Sequence, residues 1–435
     1  MHPIAGIFCI LGLLGLMLGL VRCFKLPPEL SRKSIHVSLG LACLSFPWLF
    51  DRFWPVGLLC AASIGGLLWL RGQKGDLNAV LHGVLRDSWG ELCFPIAVAV
   101  LFLLKHDPIP DYLIPLLLLT LADAVGALIG VRYGQSKYST DEGFKSLEGS
   151  LAFFLTAFIC THICLLLSTA TGRTESLLIA AIIGLLVMLI EGISRRGMDN
   201  LWIPLVSYLL INSYLDMGWQ VLVGRLLMLM GILVFFLLLR RRSYANDSVL
   251  LASALVLYLI FAVASWIWAI TPIALALFYG LTCPSCDKDR QTRHGQDDLL
   301  AICGGGLLWL LLSINGTDLD LALPFIATWA AQIAILFAAH MTRKRPRSST
   351  AYIFSLGAAL GGSLSLPSLL LIYQGTNLMI ALSLILAGCA LAATCLWKLE
   401  WQRTGSTLSP GRPIRQFAYG LAASAPALTI NLFLP

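Results

Sequence analysis

Apolar residues in this chain gather into runs of about 17–25, the length a helix needs to cross a hydrocarbon core. The pattern predicts spans near residues 4–21, 36–50, 54–70, 91–104, 111–131, 147–169, 176–194, 200–213 and 219–239. A later run, 249–282, is too long for one ordinary helix and is expected to break near Ser265 or at Pro272. Further runs to the C-terminus bring the expectation to an all-α, polytopic integral membrane protein of about 15 transmembrane helices. The first run, Ile4 to Val21, lacks a basic start and a small-residue cleavage site, so it reads as a retained helix.

The polar positions between the runs sort by charge. Arg22–Lys33, Arg71–Arg86, Arg132–Lys145, Arg195–Arg196 and Arg240–Arg242 fall on alternate connections. Lys105–Asp111 and Asn212–Gly218, on the opposite connections, are acidic or nearly neutral. Basic loops favour the cytoplasmic side, which puts the N-terminus outside. With the break near Ser265, Lys288–Arg293, Arg343–Arg347, Lys398–Arg403 and Arg412–Arg415 join the cytoplasmic side, and Asp318–Asp320 lies outside. The triple arginine at 240–242 marks a module boundary, dividing residues 1–242 from 243–435.

Composition agrees with this picture. Of 435 residues, 58% are hydrophobic and 12% charged, and mean hydropathy is +0.83. A soluble domain carries about 25% charged residues. The net charge of +7 comes from loop cations that set orientation, so it does not signal a nucleic-acid partner. Most of the twelve cysteines sit inside apolar runs as small hydrophobes. Cys283-Pro-Ser-Cys286, with His294 nearby, is the exception, and reads as two incidental thiols.

Four polar clusters fall on the predicted cytoplasmic side: Arg32-Lys33-Ser34-Ile35-His36, Arg86 to Glu91, Asp123 to Ser150, and Glu191 to Asn200. A carboxylate as deep in an apolar run as Asp123 costs about 2.5–3.5 kcal/mol on insertion scales. It calls for a cation such as Mg2+, which takes carboxylate oxygens together with substrate phosphates. Gly126, Gly130 and Gly134 recur at spacing four, which suits either close helix packing or close approach of a ligand. Lys137 and Lys145 can neutralise phosphates, or serve as ordinary loop charge. Lys145-Ser146-Leu147-Glu148-Gly149 opens a helix with polar groups at its N-terminus, where anions bind well. His36, beside Arg32 and Lys33, suits contact with a phosphate or hydroxyl. Asp199 and Asn200 are either an N-cap or, with Glu191, a second metal- or substrate-orienting group.

The words RKSIH (32–36), RDSWGE (86–91), LADAVGALIGVRYGQSKY (121–138), KSLEGS (145–150) and EGISRRGMDNLWIP (191–204) together resemble the membrane family of CTP-dependent polyprenol and isoprenoid-alcohol kinases. That family includes dolichol, phytol and farnesol kinases, with CDP-diglyceride synthase as a distant relative. The resemblance covers roughly residues 1–240. It implies transfer of the γ-phosphoryl group of CTP to a lipid alcohol, with Mg2+ as cofactor. It further implies that Asp123, Lys145, Asp199 and His36 are catalytic, and that Asp123 and Asp199 hold the metal. Arg32, Lys33, Gly130, Gly134, Lys137, Ser146, Glu148, Gly149 and Asn200 would then surround the nucleotide. The diglyceride cytidylyltransferase signature ends in a histidine- and glycine-rich run with two aspartates. Here that place reads GMDNLWIP, which favours phosphoryl over nucleotidyl transfer.

HGQDDLLAICGGGLLWLLL, in the second half, is similar to a family that includes the phytyl-phosphate kinase of tocopherol synthesis. The carboxylate-bearing helix expected next is replaced by FIATWAAQIAILFAAHM, so this half is expected to lack that chemistry or to act as scaffold or lipid-access module. A transporter, the non-enzyme alternative, would place charges in the middle of several spans. Here they cluster at one surface.

Overall fold

A computed structural model describes Gly12 and residues 28–71, 89–243, 245–282, 296–314, 321–344, 350–372, 375–396 and 412–430. The predicted span 4–21 apart from Gly12, the Cys283–Cys286 pair with His294, and Arg86, Asp87 and Ser88 lie outside the described residues, as does the side chain of Arg32.

The described chain is helical except for one hairpin, and six of its helices are long and apolar enough to cross a membrane. It is an all-α integral membrane protein. The chain divides into two compact units, Met1–Leu229 and Met230–Pro435.

The first unit begins with α1 (Pro28–Leu44), a short α2 (Phe46–Leu49), α3 (Phe53–Arg71) and α4 (Gly90–Leu104). The span α5 (Ile109–Tyr133) follows. It is not a uniform helix: Pro108–Leu113 and Leu118–Ala122 are π-helical, with an α-helical turn, Ile114–Leu117, between them and α-helix again from Asp123. Next come the antiparallel strands β1 (Lys137–Thr140) and β2 (Gly143–Ser146), which place Lys137 opposite Ser146 and Tyr138 opposite Lys145. The sequence pattern predicts a loop here, and the structure forms a two-stranded hairpin instead. Then follow α6 (Leu147–Ser168), α7 (Arg173–Ile193), α8 (Asp199–Tyr214) and α9 (Trp219–Arg240), whose residues from Met230 onward belong to the second unit. A buried cluster including Phe46, Phe50, Phe94, Leu101, Tyr112 and Leu116 ties α1 to α5 together. The Tyr112 hydroxyl donates to the Cys43 carbonyl at 2.9 Å, satisfying the one polar atom that ring brings into the core.

The second unit contains α10 (Asp247–Val263), α11 (Trp266–Thr282), α12 (Gln296–Ile314), α13 (Ala322–Lys344), α14 (Thr350–Ile372), α15 (Gly375–Leu396) and α16 (Arg412–Ile430). The long apolar run breaks at Ala264 and Ser265, while Pro272 stays inside α11. Three consecutive glycines on α12 admit large neighbours: a β-carbon would stand 2.8 Å from Phe417 at Gly304, and 2.4 Å from the Trp329 indole nitrogen at Gly306.

Candidate active site

The site starts from a helix crossing. A β-carbon at Gly40 would lie 2.2 Å from the Thr120 hydroxyl, so only glycine lets α1 and α5 approach this closely. His36 and Lys33 stand four and seven residues before Gly40, on the same face of α1. Asp123 stands three residues after Thr120. The crossing therefore sets both side chains against the carboxylate. The Lys33 ammonium donates to the Asp123 carboxylate at 2.6 Å, and both residues are buried. His36 Nε2 lies 3.1 Å from the Leu119 carbonyl and 3.7 Å from the Asp123 carboxylate. Leu119 sits in the π-helical turn, where the backbone ladder is shifted; such turns recur at functional sites. The edge-on ring of Phe94, with centroids 5.2 Å apart, fixes the imidazole from α4.

The hairpin brings the second ion pair. Lys145 donates to the Glu191 carboxylate at 2.8 Å and to the Glu191 carbonyl. Burial alone would depress the lysine, but the neighbouring Glu191, with help from Asp199 and Tyr138, holds it above its usual value. A lysine raised in this way keeps its charge through neutral pH, and its pairing is lost only at strongly alkaline pH. Asp199 opens α8 within the electrostatic reach of Asp123, Lys145, Lys33 and Glu191. Four segments that are distant in sequence thus place Lys33, His36, Asp123, Lys145, Glu191 and Asp199 in one charged group.

The surrounding residues build the frame. The Ser146 hydroxyl caps α6 by accepting from the Gly149 amide at 3.1 Å. The Glu148 carboxylate accepts from the Ser136 amide at 3.0 Å and so closes the hairpin onto α6. Gly126, Gly130 and Gly149 lie where α5 and α6 touch: a β-carbon on Gly149 would be 2.9 Å from the Gly126 carbonyl and 3.0 Å from the Gly130 α-carbon. Gly134 caps α5 with φ of −69° and packs on Ser146. The Asn200 amide donates to the Gly90 carbonyl at 2.9 Å. Arg196, in the left-handed region at φ 52°, offers its carbonyl to the Trp89 amide at 2.7 Å. Lys137 is exposed on β1, with no ion pair among the described residues. Sequence reasoning missed Gly40, Thr120, the Leu119 carbonyl and the Tyr138–Ser150 hydroxyl pair at 2.9 Å. Only the π-helical turn hints at Leu119, and no sequence signal precedes it.

No three His, Cys, Asp or Glu side chains among the described residues form a metal cage. Mg2+ needs none, since one or two carboxylates plus substrate phosphates suffice. Asp123 and Asp199, two carboxylates in one field with cations beside them, fit that mode.

No family model matches the chain, and no solved structure matches it. A phytol kinase of Synechocystis sp. is 32% identical over 198 residues, which is 44% of this chain and 83% of the relative. The match spans most of the relative, and this chain belongs to the polyprenol and phytol kinase family.

Proposed function

We propose that the protein is a CTP-dependent kinase that phosphorylates an isoprenoid or related lipid alcohol, phytol- or dolichol-like, at the cytoplasmic membrane face. The observation that carries this reading is the convergence of Lys33, His36, Asp123, Lys145, Glu191 and Asp199 in a protein of apolar helices. The relative's activity as a phytol kinase supports the choice of acceptor.

In this reading the acceptor oxygen bonds to the γ-phosphorus and gives up its proton to solvent as the β–γ anhydride breaks, and CDP leaves. Phosphoryl transfer asks little covalent chemistry of a protein; positioning and charge stabilisation carry it. Asp123 and Asp199 would hold Mg2+, which neutralises charge on the phosphates. Lys145, kept charged and aimed by Glu191, and the exposed Lys137 meet the phosphate oxygens. His36, fixed between Phe94 and the Leu119 carbonyl, contacts the acceptor hydroxyl. Lys33 pairs with Asp123 inside an apolar bundle, where an unpaired carboxylate would be costly.

Incubation of purified protein with CTP labelled at either the α or the γ position, with a panel of lipid alcohols and Mg2+, tests the reading. γ-label in the lipid and release of CDP are expected. α-label in the lipid with release of pyrophosphate would make the protein a cytidylyltransferase instead.

A further inference from the structure

The hairpin presents an aromatic ring that the kinase chemistry leaves unused. Phe144 is 74% exposed on β2, between Gly143, at φ 128° in the turn, and Lys145. Successive strand residues point to opposite faces. Lys145 reaches inward to Glu191, so Phe144 points away from the site.

Three membrane spans fix the height of this strand. A β-carbon on Gly134, which caps α5, would stand 2.6 Å from the Ser146 β-carbon, so the end of β2 rests on the end of α5. Leu147, the next residue, opens α6. Glu191, the partner of Lys145, is the third residue from the end of α7, and the Glu142 carboxylate at the hairpin tip accepts from the Arg196 amide just beyond it. These last two ties hold the hairpin down against the span ends. The 22 residues of α6 measure about 33 Å at 1.5 Å per residue, close to the roughly 30 Å of a hydrocarbon core. Leu147 therefore lies at the core boundary, and Phe144, three residues before it, lies in the headgroup layer. Leu147, Leu151, Leu155, Ile159 and Ile163 are exposed at four-residue spacing down α6 and form the lipid-facing stripe of that span. Phe144 continues the stripe past the helix end. Exposed Arg132, its guanidinium 5.5 Å from the Tyr133 ring centre, ends α5 at the same level, where an arginine and an aromatic ring suit lipid phosphates and the acyl boundary.

We propose that the hairpin is seated in the headgroup layer of the bilayer, with the Phe144 ring inserted among phospholipids beside the stripe of α6, and that this anchors the strand carrying Lys145. The proposal goes beyond the kinase reading and is tested without nucleotide, so either can fail alone.

The test places a 4-trifluoromethyl group on the Phe144 ring by nonsense suppression, in the full chain held in phosphatidylcholine and phosphatidylglycerol nanodiscs. A lipid with a nitroxide at the fifth acyl carbon should broaden the fluorine line, and a water-soluble gadolinium chelate should leave it nearly unchanged. Broadening by the chelate and not by the lipid would put the ring in water and overturn the proposal. Protection from both would put the ring against protein, such as a second copy of this chain, and overturn it equally. Phe144→Asp, checked for monodisperse elution, should raise amide hydrogen exchange across residues 138–146 about tenfold, the counterpart of withdrawing roughly half a ring from an apolar setting. Phe144→Leu, which stays apolar, should change it little. Unchanged exchange in a folded Phe144→Asp protein would overturn the anchoring, and should that variant aggregate, the fluorine measurement decides alone.

Discussion

The two units bury polar groups of different kinds. In the first, the buried set includes ionisable residues: Lys33, Asp111 and Asp123. In the second, the buried polar side chains among the described residues are all neutral: serines, threonines, Gln332 and Gln416. The Gln416 amide donates to the Gln332 side-chain oxygen at 3.0 Å, Trp309 donates to Ser424 at 2.9 Å, and the hydroxyls of Thr271 and Ser368 are 3.0 Å apart. Both solutions satisfy polar atoms inside an apolar bundle. Neutral amides and hydroxyls do so at modest desolvation cost and fix helix register. An ion pair in the same setting often contributes no more stability than well-packed hydrophobic residues of similar size. Its retention in the first unit therefore points to chemistry, and the neutral pairs of the second point to architecture. Gln332 stands in the helix where the resemblance to the phytyl-phosphate kinase family led us to expect a carboxylate. An amide there can hold a neighbouring helix but supplies no anion for a metal.

The comparison breaks most visibly at Asp123. Asp123→Asn keeps shape and hydrogen bonding but removes the charge, so phosphorylation of a lipid alcohol should fall on the order of a hundred- to a thousandfold, about 2.7–4 kcal/mol. Steady-state turnover with labelled CTP measures it. Near-normal turnover would mean the buried charge is only structural.

The next effect is on stability. Lys33→Met leaves Asp123 buried without its ammonium, which should cost about 3–5 kcal/mol. Adding Asp123→Asn to Lys33→Met removes the stranded charge and should restore most of that loss while leaving the enzyme inactive. Thermal unfolding in detergent, run beside the activity assay, separates the two outcomes. A double variant as unstable as the single one would assign the pair to folding.

Gly40→Ala sharpens the geometric part of the comparison. Its methyl group would collide with Thr120 and push Lys33 and His36 away from Asp123, so activity should fall tenfold or more, about 1.4 kcal/mol or above. Gly65→Ala on α3, where nothing lies within 4 Å of the added carbon, should be silent in the same assay. Equal effects from the two would remove the crossing from the argument.

The smallest change in turnover is expected in the second unit. Gln332→Leu alone should cost about 1–3 kcal/mol by leaving Gln416 unsatisfied, and Gln332→Leu with Gln416→Leu should return close to the parent. Turnover should hold in both, as long as the variants stay folded. Loss of turnover in the stable double variant would show that the second unit takes part in the reaction.

What could be read in the sequence was local. Whether an apolar run is long enough to span hydrocarbon depends only on the run itself, and the expected spans 147–169, 176–194 and 219–239 match Leu147–Ser168, Arg173–Ile193 and Trp219–Arg240 closely. The break near Ser265 was legible for the same reason. The clustering of Asp123, Lys145 and Asp199 with His36 was also in reach, because buried or interfacial charge is rare enough in such a chain to stand out. Which charge meets which was not. The Lys33–Asp123 pair joins residues 90 apart, and Lys145–Glu191 joins residues 46 apart. These pairings depend on where two helices cross. That depends in turn on Gly40, which in the sequence looks no different from Gly65 or Gly66, both with open space around them. A glycine permits close approach but does not name its partner. Only the packed bundle supplies the partner, Thr120 here, and with it the register that brings Lys33 and His36 onto one carboxylate.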